Sequence, residues 1–251
     1  MLFQERLIIA LAASLILAAI TKKTGVLDNK GVASAFIIGV TIGALGDTTW
    51  LVLLLIFLIS SFGATKRNFA IKQKMGVQEG KSGERGWRNA WSTGLMPTLV
   101  ALVAFFDTPY LPRNVAGVVF ITAIAAAASD TFASEMGMLY PKPEPVLITN
   151  PKKRVPIGTN GGITTMGTLW SFLAAAHMGL WGFVLLTLWS DTLAISPFWT
   201  GIAIFMGFMG CQFDSLLGAI YENRGKMSKH AVNFISTMLA TIIAWMVVLW
   251  I

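Results

Sequence analysis

Three carboxylic acids, Asp130, Glu135 and Asp214, interrupt stretches that are otherwise apolar enough to be membrane-spanning helix. An ionisable side chain at bilayer depth costs about 2.5–3.5 kcal/mol on insertion scales, so such groups face a polar cavity and mark function. Two of them stand within Ser129-Asp130-Thr131-Phe132-Ala133-Ser134-Glu135-Met136-Gly137. On a helix, Asp130, Ser134, Thr131 and Glu135 fall at roughly 0°, 40°, 100° and 140°, an oxygen-rich face backed by the small residues Ala125 to Ala128. Hard oxygens in this pattern suit magnesium, which takes one or two carboxylates with phosphate oxygens and water. The competing use is a polar stripe for helix packing, which needs no pair of acids.

A second pattern follows the acidic helix: Pro156-Ile157-Gly158-Thr159-Asn160-Gly161-Gly162-Ile163-Thr164-Thr165. The three glycines, Gly158, Gly161 and Gly162, permit positive φ and close backbone approach. Free amides at the start of the next helix, with the Thr159 and Thr164 hydroxyls beside them, make an anion site. No Gly-Lys-Ser/Thr follows, so this is not a Walker A loop. The same residues would also serve as a glycine-rich turn with a threonine cap.

A third group is basic. Lys66, Arg67, Lys72, Lys74, Lys81, Arg85 and Arg88 lie between two apolar stretches, with Asn89 at the end. Such cations can neutralise nucleotide or lipid phosphates, although basic loops also form simply to meet anionic headgroups. Lys66, Arg85 and Arg88, closest to the apolar stretches, are the strongest candidates. The last pattern is Gly210-Cys211-Gln212-Phe213-Asp214-Ser215-Leu216-Leu217-Gly218. Gly207, Gly210 or Cys211, Asp214 and Gly218 recur at helical spacing, so Asp214 faces protein rather than lipid. His230 and Asn233 could reach the same cavity, whereas His177 reads as a packing residue.

The elements that must carry these groups follow from composition. Of 251 residues, 55% are hydrophobic and only 12% charged, far fewer charges than a soluble domain carries. Apolar runs predict an all-α, polytopic transmembrane bundle of about eight spans (seven to nine), a single domain over residues 1–251. The spans are roughly 5–21, 32–46, 49–65, 90–106, 115–139, 162–189, 199–221 and 231–250. Of 19 basic residues, all but Arg6 and Arg113 fall in alternate connections. By the positive-inside rule those connections, including the long loops 66–89 and 140–161, are cytoplasmic and both termini lie outside. This spread of charge over loops argues against nucleic acid as a partner. The lone Cys211 excludes an intrachain disulfide, and the first segment lacks the basic leader and cleavage site of a signal peptide.

With these motifs the chain resembles the transmembrane protein 19 / phytyl-phosphate kinase family of integral membrane proteins. The likeness rests on Ser129 to Gly137, on Pro156 to Gly162, on Gln212 to Gly218 and on Thr65-Lys66, and runs through the whole chain in the same order. Where that family has an asparagine before the glycine at the start of span four, this chain has Thr93-Gly94, and Asn89 could take over the polar contact. A looser likeness links it to CTP-dependent polyprenol kinases. The resemblance implies phosphorylation of an isoprenyl monophosphate (phytyl, farnesyl or geranylgeranyl type) to its diphosphate, with CTP or another nucleoside triphosphate as donor and Mg2+ as cofactor.

Taken with the residues, this implies Asp130 and Glu135 as metal ligands, and Asp214 as a second metal ligand or a group that orients the acceptor. Lys66, Arg85 and Arg88 would balance charge. Thr131, Ser134, Gly158, Thr159, Asn160, Gly161, Gly162 and Thr164 would surround the phosphates, with Lys74, Lys81, Asn89, Gln212 and Ser215. The isoprenyl tail would enter from the bilayer beside the glycine-rich spans two and seven. Two other readings stand. A lipid cytidylyltransferase would use the same metal and CTP but release pyrophosphate; a secondary transporter would need acids near the midplane and an inverted repeat. The prokaryotic plasma membrane is the expected location, and an oligomer is compatible with the sequence.

Overall fold

The computed structural model describes residues 1–140, 142–190 and 195–250. Its helices are α1 (Phe3–Thr24), α2 (Asn29–Thr41, continued as one π-helical turn Ile42–Gly46), α3 (Thr48–Lys66), the short α4 (Phe69–Lys74), α5 (Trp87–Phe105), α6 (Arg113–Gly137), α7 (Thr165–Trp189), α8 (Pro197–Ile220) and α9 (Lys229–Trp250). Among the described residues, seven helices are long and apolar enough to cross a membrane; α5 is the eighth long helix. It is less apolar because it carries Asn89, Ser92, Thr93 and Thr98, and it buries all four in protein. Short polar side chains start several helices. Asp28 accepts from the amide of Gly31, Asp47 from Thr49, Thr164 from Gly167 and Ser196 from Trp199.

α6 is the axis of the bundle. In its most apolar stretch 83% of positions are buried, against 17% in α1, which leaves α1 mostly on the outside. The small residues of α6 explain why its neighbours come so close. A Cβ on Gly210 of α8 would stand 2.6 Å from the Cβ of Ala126, and one on Gly137 would stand 2.9 Å from the Cα of Gly167 in α7. Without a hydrophobic drive between lipid-embedded helices, such backbone approach supplies the packing. On the other side Trp50 of α3 stacks on Phe120 at 4.3 Å.

The connections carrying the basic residues meet at one end. The 67–86 segment joins the α1–α2 turn through a Leu27–Arg85 bridge and bonds from Asp28 N to Arg85 O and from Arg85 N to Val26 O. Arg6 and Arg113 sit elsewhere, and both donate to the carbonyl of Gly46, at 2.6 and 2.8 Å. The all-α expectation needs one addition. The connection between α6 and α7 contains a small antiparallel sheet in the order β2-β1-β3, from β1 (Val146–Leu147), β2 (Asn150–Arg154) and β3 (Gly162–Ile163). β3 runs straight into α7, so this sheet fixes the glycine turn against the bundle.

Candidate functional site

A cavity of about 420 Å³ opens among α6, α7, α8 and the start of α9. Helical geometry decides which acids reach it. Asp130 and Ser134, one turn apart on α6, line the cavity, as do Gln212, Asp214 and Ser215 of α8. The carboxyl groups of Asp130 and Asp214 contact each other. Asn233 Nδ2 donates to Asp130 Oδ2 at 3.3 Å, and Ser236 Oγ donates to Asp214 Oδ2 at 3.0 Å. Two carboxylates in contact require a proton or a cation between them.

Opposite the acids stands the glycine turn, and Gly158, Thr159, Asn160, Gly161, Gly162 and Thr164 all line the cavity. Gly158 and Gly161 have φ of +83° and +75°, a conformation that side-chain-bearing residues rarely adopt. At Gly161 space is also decisive, because a Cβ would come within 2.5 Å of the Ala219 Cβ and 2.6 Å of the Ser215 carbonyl oxygen. The turn is held by Ile148 N donating to Gly161 O at 2.9 Å and by Asn223 Nδ2 donating to Asn160 O at 2.9 Å. Among the described residues, the amides of Gly158, Asn160 and Gly161 donate to no other group. Next to them is the N-terminus of α7, capped by Thr164. Backbone donors of this kind form an anion cradle.

Among the described residues, three acids, Asp130, Asp214 and Glu222, line this cavity with one cation, Lys229. By themselves they would repel a polyphosphate. The donor set fits a divalent cation: two carboxylates in contact, neighbouring hydroxyl and amide oxygens, and room for phosphate and water. Lys229 was not singled out from the sequence. Its signal was its spacing, since Lys229, Asn233 and Ser236 repeat on one face of α9.

Glu135 departs from the expected metal set. No group of three or more His, Cys, Asp or Glu side chains forms a metal cluster among the described residues. Glu135 and the buried Thr131 lie one turn apart on the side of α6 turned away from the cavity. Lys72 of α4, with no exposed surface, donates to Glu135 Oε2 at 2.6 Å. Thr65 Oγ1 donates to Glu135 Oε1 at 2.9 Å, and Arg85 Nη2 lies 4.0 Å from that oxygen and 3.1 Å from Thr65 Oγ1. The glutamate is therefore paired within a charged cluster beside the cavity.

The basic loop is also distributed differently from the expectation. Lys66, Lys74, Lys81 and Arg88 are exposed and do not line the cavity. The Lys66 ammonium donates to Ser82 O and lies over the Phe62 and Phe69 rings, and the Arg88 guanidinium lies 5.4 Å from the Trp87 ring centre. What the loop brings to the cavity rim is Gly76 and Val77. Asn89 is buried and donates to Glu79 Oε1 at 3.3 Å, while Lys229 donates to Glu79 Oε2 at 3.1 Å. His230 does not line the cavity.

The model of the integral membrane protein family DUF92 matches residues 12–241. The chain belongs to this family. It is 34% identical over 238 residues to an uncharacterized membrane protein of Methanocaldococcus jannaschii, covering 95% of this chain and 92% of the relative. An uncharacterized membrane protein of Synechocystis is 32% identical over 236 residues, covering 92% and 85%. Protein VTE6, chloroplastic, of Arabidopsis thaliana is 26% identical over 223 residues, covering 87% of this chain and 64% of the relative. No solved structure matches. This DUF92 chain is thus an integral membrane protein whose relatives come from an archaeon, a cyanobacterium and a plant.

Proposed function

We propose that this protein is a membrane kinase that transfers the terminal phosphoryl group of a nucleoside triphosphate, CTP in the first instance, to an isoprenyl monophosphate. The observation that carries the reading is the convergence of Asp130, Asp214, Lys229 and the free amides of the glycine turn on one cavity, at the end of the bundle where the basic connections gather. The motif resemblance to phytyl-phosphate kinases supports an isoprenoid acceptor.

In this reading Asp130 and Asp214 would hold Mg2+, which when bound neutralises the donor phosphates. Asn233 and Ser236 orient the two carboxylates. The amides of Gly158, Asn160 and Gly161 would bind the donor phosphate oxygens, and Lys229 would offset charge that develops during transfer. An oxygen of the acceptor phosphate attacks the γ-phosphorus and forms the new P–O bond. The bond between that phosphorus and the β–γ bridging oxygen breaks, and its electron pair departs on the nucleoside diphosphate. The acceptor phosphate is already ionised at neutral pH, so no strong general base is required.

The test is incubation of the purified protein with each nucleoside triphosphate and with prenyl monophosphates of several lengths, followed by product analysis. A prenyl diphosphate and nucleoside diphosphate support the kinase. Release of pyrophosphate with cytidylyl on the lipid would replace it with a cytidylyltransferase. No nucleotide-dependent product with any acceptor would remove the kinase reading.

A further inference from the structure

A second cavity lies on the other side of the Glu135 cluster, in a slot between α1, α2, α3 and α5. Its walls are mostly hydrocarbon, including Leu17, Phe36, Leu54, Leu58 and Phe62; Ser61, Arg85 and Asn89 stand at one end, and Ser14 is a polar residue farther along α1. Two of the three at that end carry donors with no partner among the described residues. Ser61, 2% exposed, has an unbonded Oγ, and the buried Nε of Arg85 is likewise unbonded. The slot is narrow, about 80 Å³, and shares Ala18 and Phe36 with an open apolar groove of about 470 Å³ between α1 and α2. That groove runs along the most exposed helix of the bundle, where Leu15 and Ile37 face outward.

We infer that this slot and the groove beside it form the acceptor site: together they take the isoprenoid tail as a single extended chain lying in from the bilayer, and Arg85 with Ser61 grips the phosphate at the slot's polar end. The assignment rests on the kinase reading for its chemistry, and on the slot itself for its location. An apolar slot that adjoins an outward-facing apolar groove and ends at a guanidinium with free donor capacity is complementary to a hydrocarbon chain bearing a phosphate, which arginine binds with directed N–H groups. The two cavities also adjoin. Asn89 lines the slot and Lys229 lines the cavity of the two aspartates, and Glu79 accepts from both. The acceptor phosphate would thus arrive across Glu79 from the donor. In this assignment the tail would lie among spans one to four, of which only span two is one of the glycine-rich pair, two and seven, that the sequence suggests.

Photolabelling in lipid vesicles tests the location without requiring turnover. The probe is geranylgeranyl monophosphate with a diazirine on its terminal isoprene unit. Label on the α1, α2 and α3 segments that line the slot, competed by unlabelled farnesyl or geranylgeranyl monophosphate and not by CTP, supports the assignment. Label on α7 or α8, or label that no prenyl phosphate competes, overturns it. As a second measurement, Arg85→Gln should raise the acceptor concentration for half-saturation by about tenfold or more, the loss expected for a charged hydrogen bond, and leave CTP binding unchanged. An unchanged acceptor dependence would count against the arginine. Competable label in the slot of a protein that shows no turnover would keep the acceptor site and remove the kinase reading. Turnover with label elsewhere would do the reverse.

Discussion

Lys72 Nζ lies 2.6 Å from Glu135 Oε2, with the lysine side chain wholly buried and the glutamate side chain 6% exposed. The same ammonium also donates to the carbonyl oxygens of Ala64 and Thr65, at 2.7 and 3.1 Å, so all three of its protons are used. This pair clamps α4 to α3 and α6 between the two cavities. Removing one partner strands a buried charge, which costs about 3–5 kcal/mol. Lys72→Met and Glu135→Gln should each lower the unfolding temperature in detergent markedly, and the double variant should recover much of the loss. Losses that simply add would show that the pair is not coupled.

Gly161 and Gly158 share a positive φ but differ in surroundings. A Cβ at Gly158 would meet only Val77, at 3.0 Å and 4.0 Å, whereas at Gly161 it would meet α8 backbone and side chain within 2.6 Å. The left-handed conformation alone costs an alanine about 1–2 kcal/mol. Nucleotide binding measured by calorimetry should therefore weaken far more for Gly161→Ala than for Gly158→Ala, because only the former must move the turn off α8. Equal effects would contradict the role of that close approach.

Glu79 links the loop to α9. Burial raises its pKa, but the ammonium of Lys229, with smaller contributions from Arg85 and His230, outweighs burial and holds it below the ordinary carboxylate value of 4.5. The folded state therefore binds this proton less readily than the unfolded state. Its contribution to stability is present above about pH 4.5 and is lost as pH falls through the lowered folded value. Thermal unfolding followed against pH should show an acid-side loss that is reduced in Glu79→Gln. In the same loop Glu84 accepts from the amides of Lys81 and Ser82, which hold its pKa at about 2.

Lys229 is the cation of the acidic cavity. Lys229→Met should leave the protein folded, because the side chain is more than half exposed, yet weaken binding of CTP with magnesium. Equilibrium binding should show a loss that shrinks as salt concentration rises, as expected for a charge contact with phosphate. A loss independent of salt would assign Lys229 a structural role instead.

Most of the bundle was legible because apolar runs of span length carry a strong signal, and the alternation of basic loops marks one end. The order of acidic helix, glycine turn and Asp214 helix was legible too, since these motifs combine polar atoms with small residues. The partition of α6 was not. Asp130 with Ser134 and Thr131 with Glu135 look like one face on an isolated helix, and only packing with α3 and α4 turns the second pair toward Lys72. That lysine looked like any residue of a basic loop because a short helix that folds back under α3 leaves little periodicity. Lys229 was hidden in the same way, as one cation among the residues that report membrane orientation.

The most direct test of the account is magnesium-dependent conversion of a prenyl monophosphate by the purified protein, with Asp130→Asn and Asp214→Asn compared with the wild type. Both substitutions keep side-chain size and should keep the fold. Each should lower turnover by about a hundredfold or more, the scale for losing one electrostatic contact to the transferring group. Full turnover by folded Asp130→Asn or Asp214→Asn protein would contradict the claim that this carboxylate pair holds the donor.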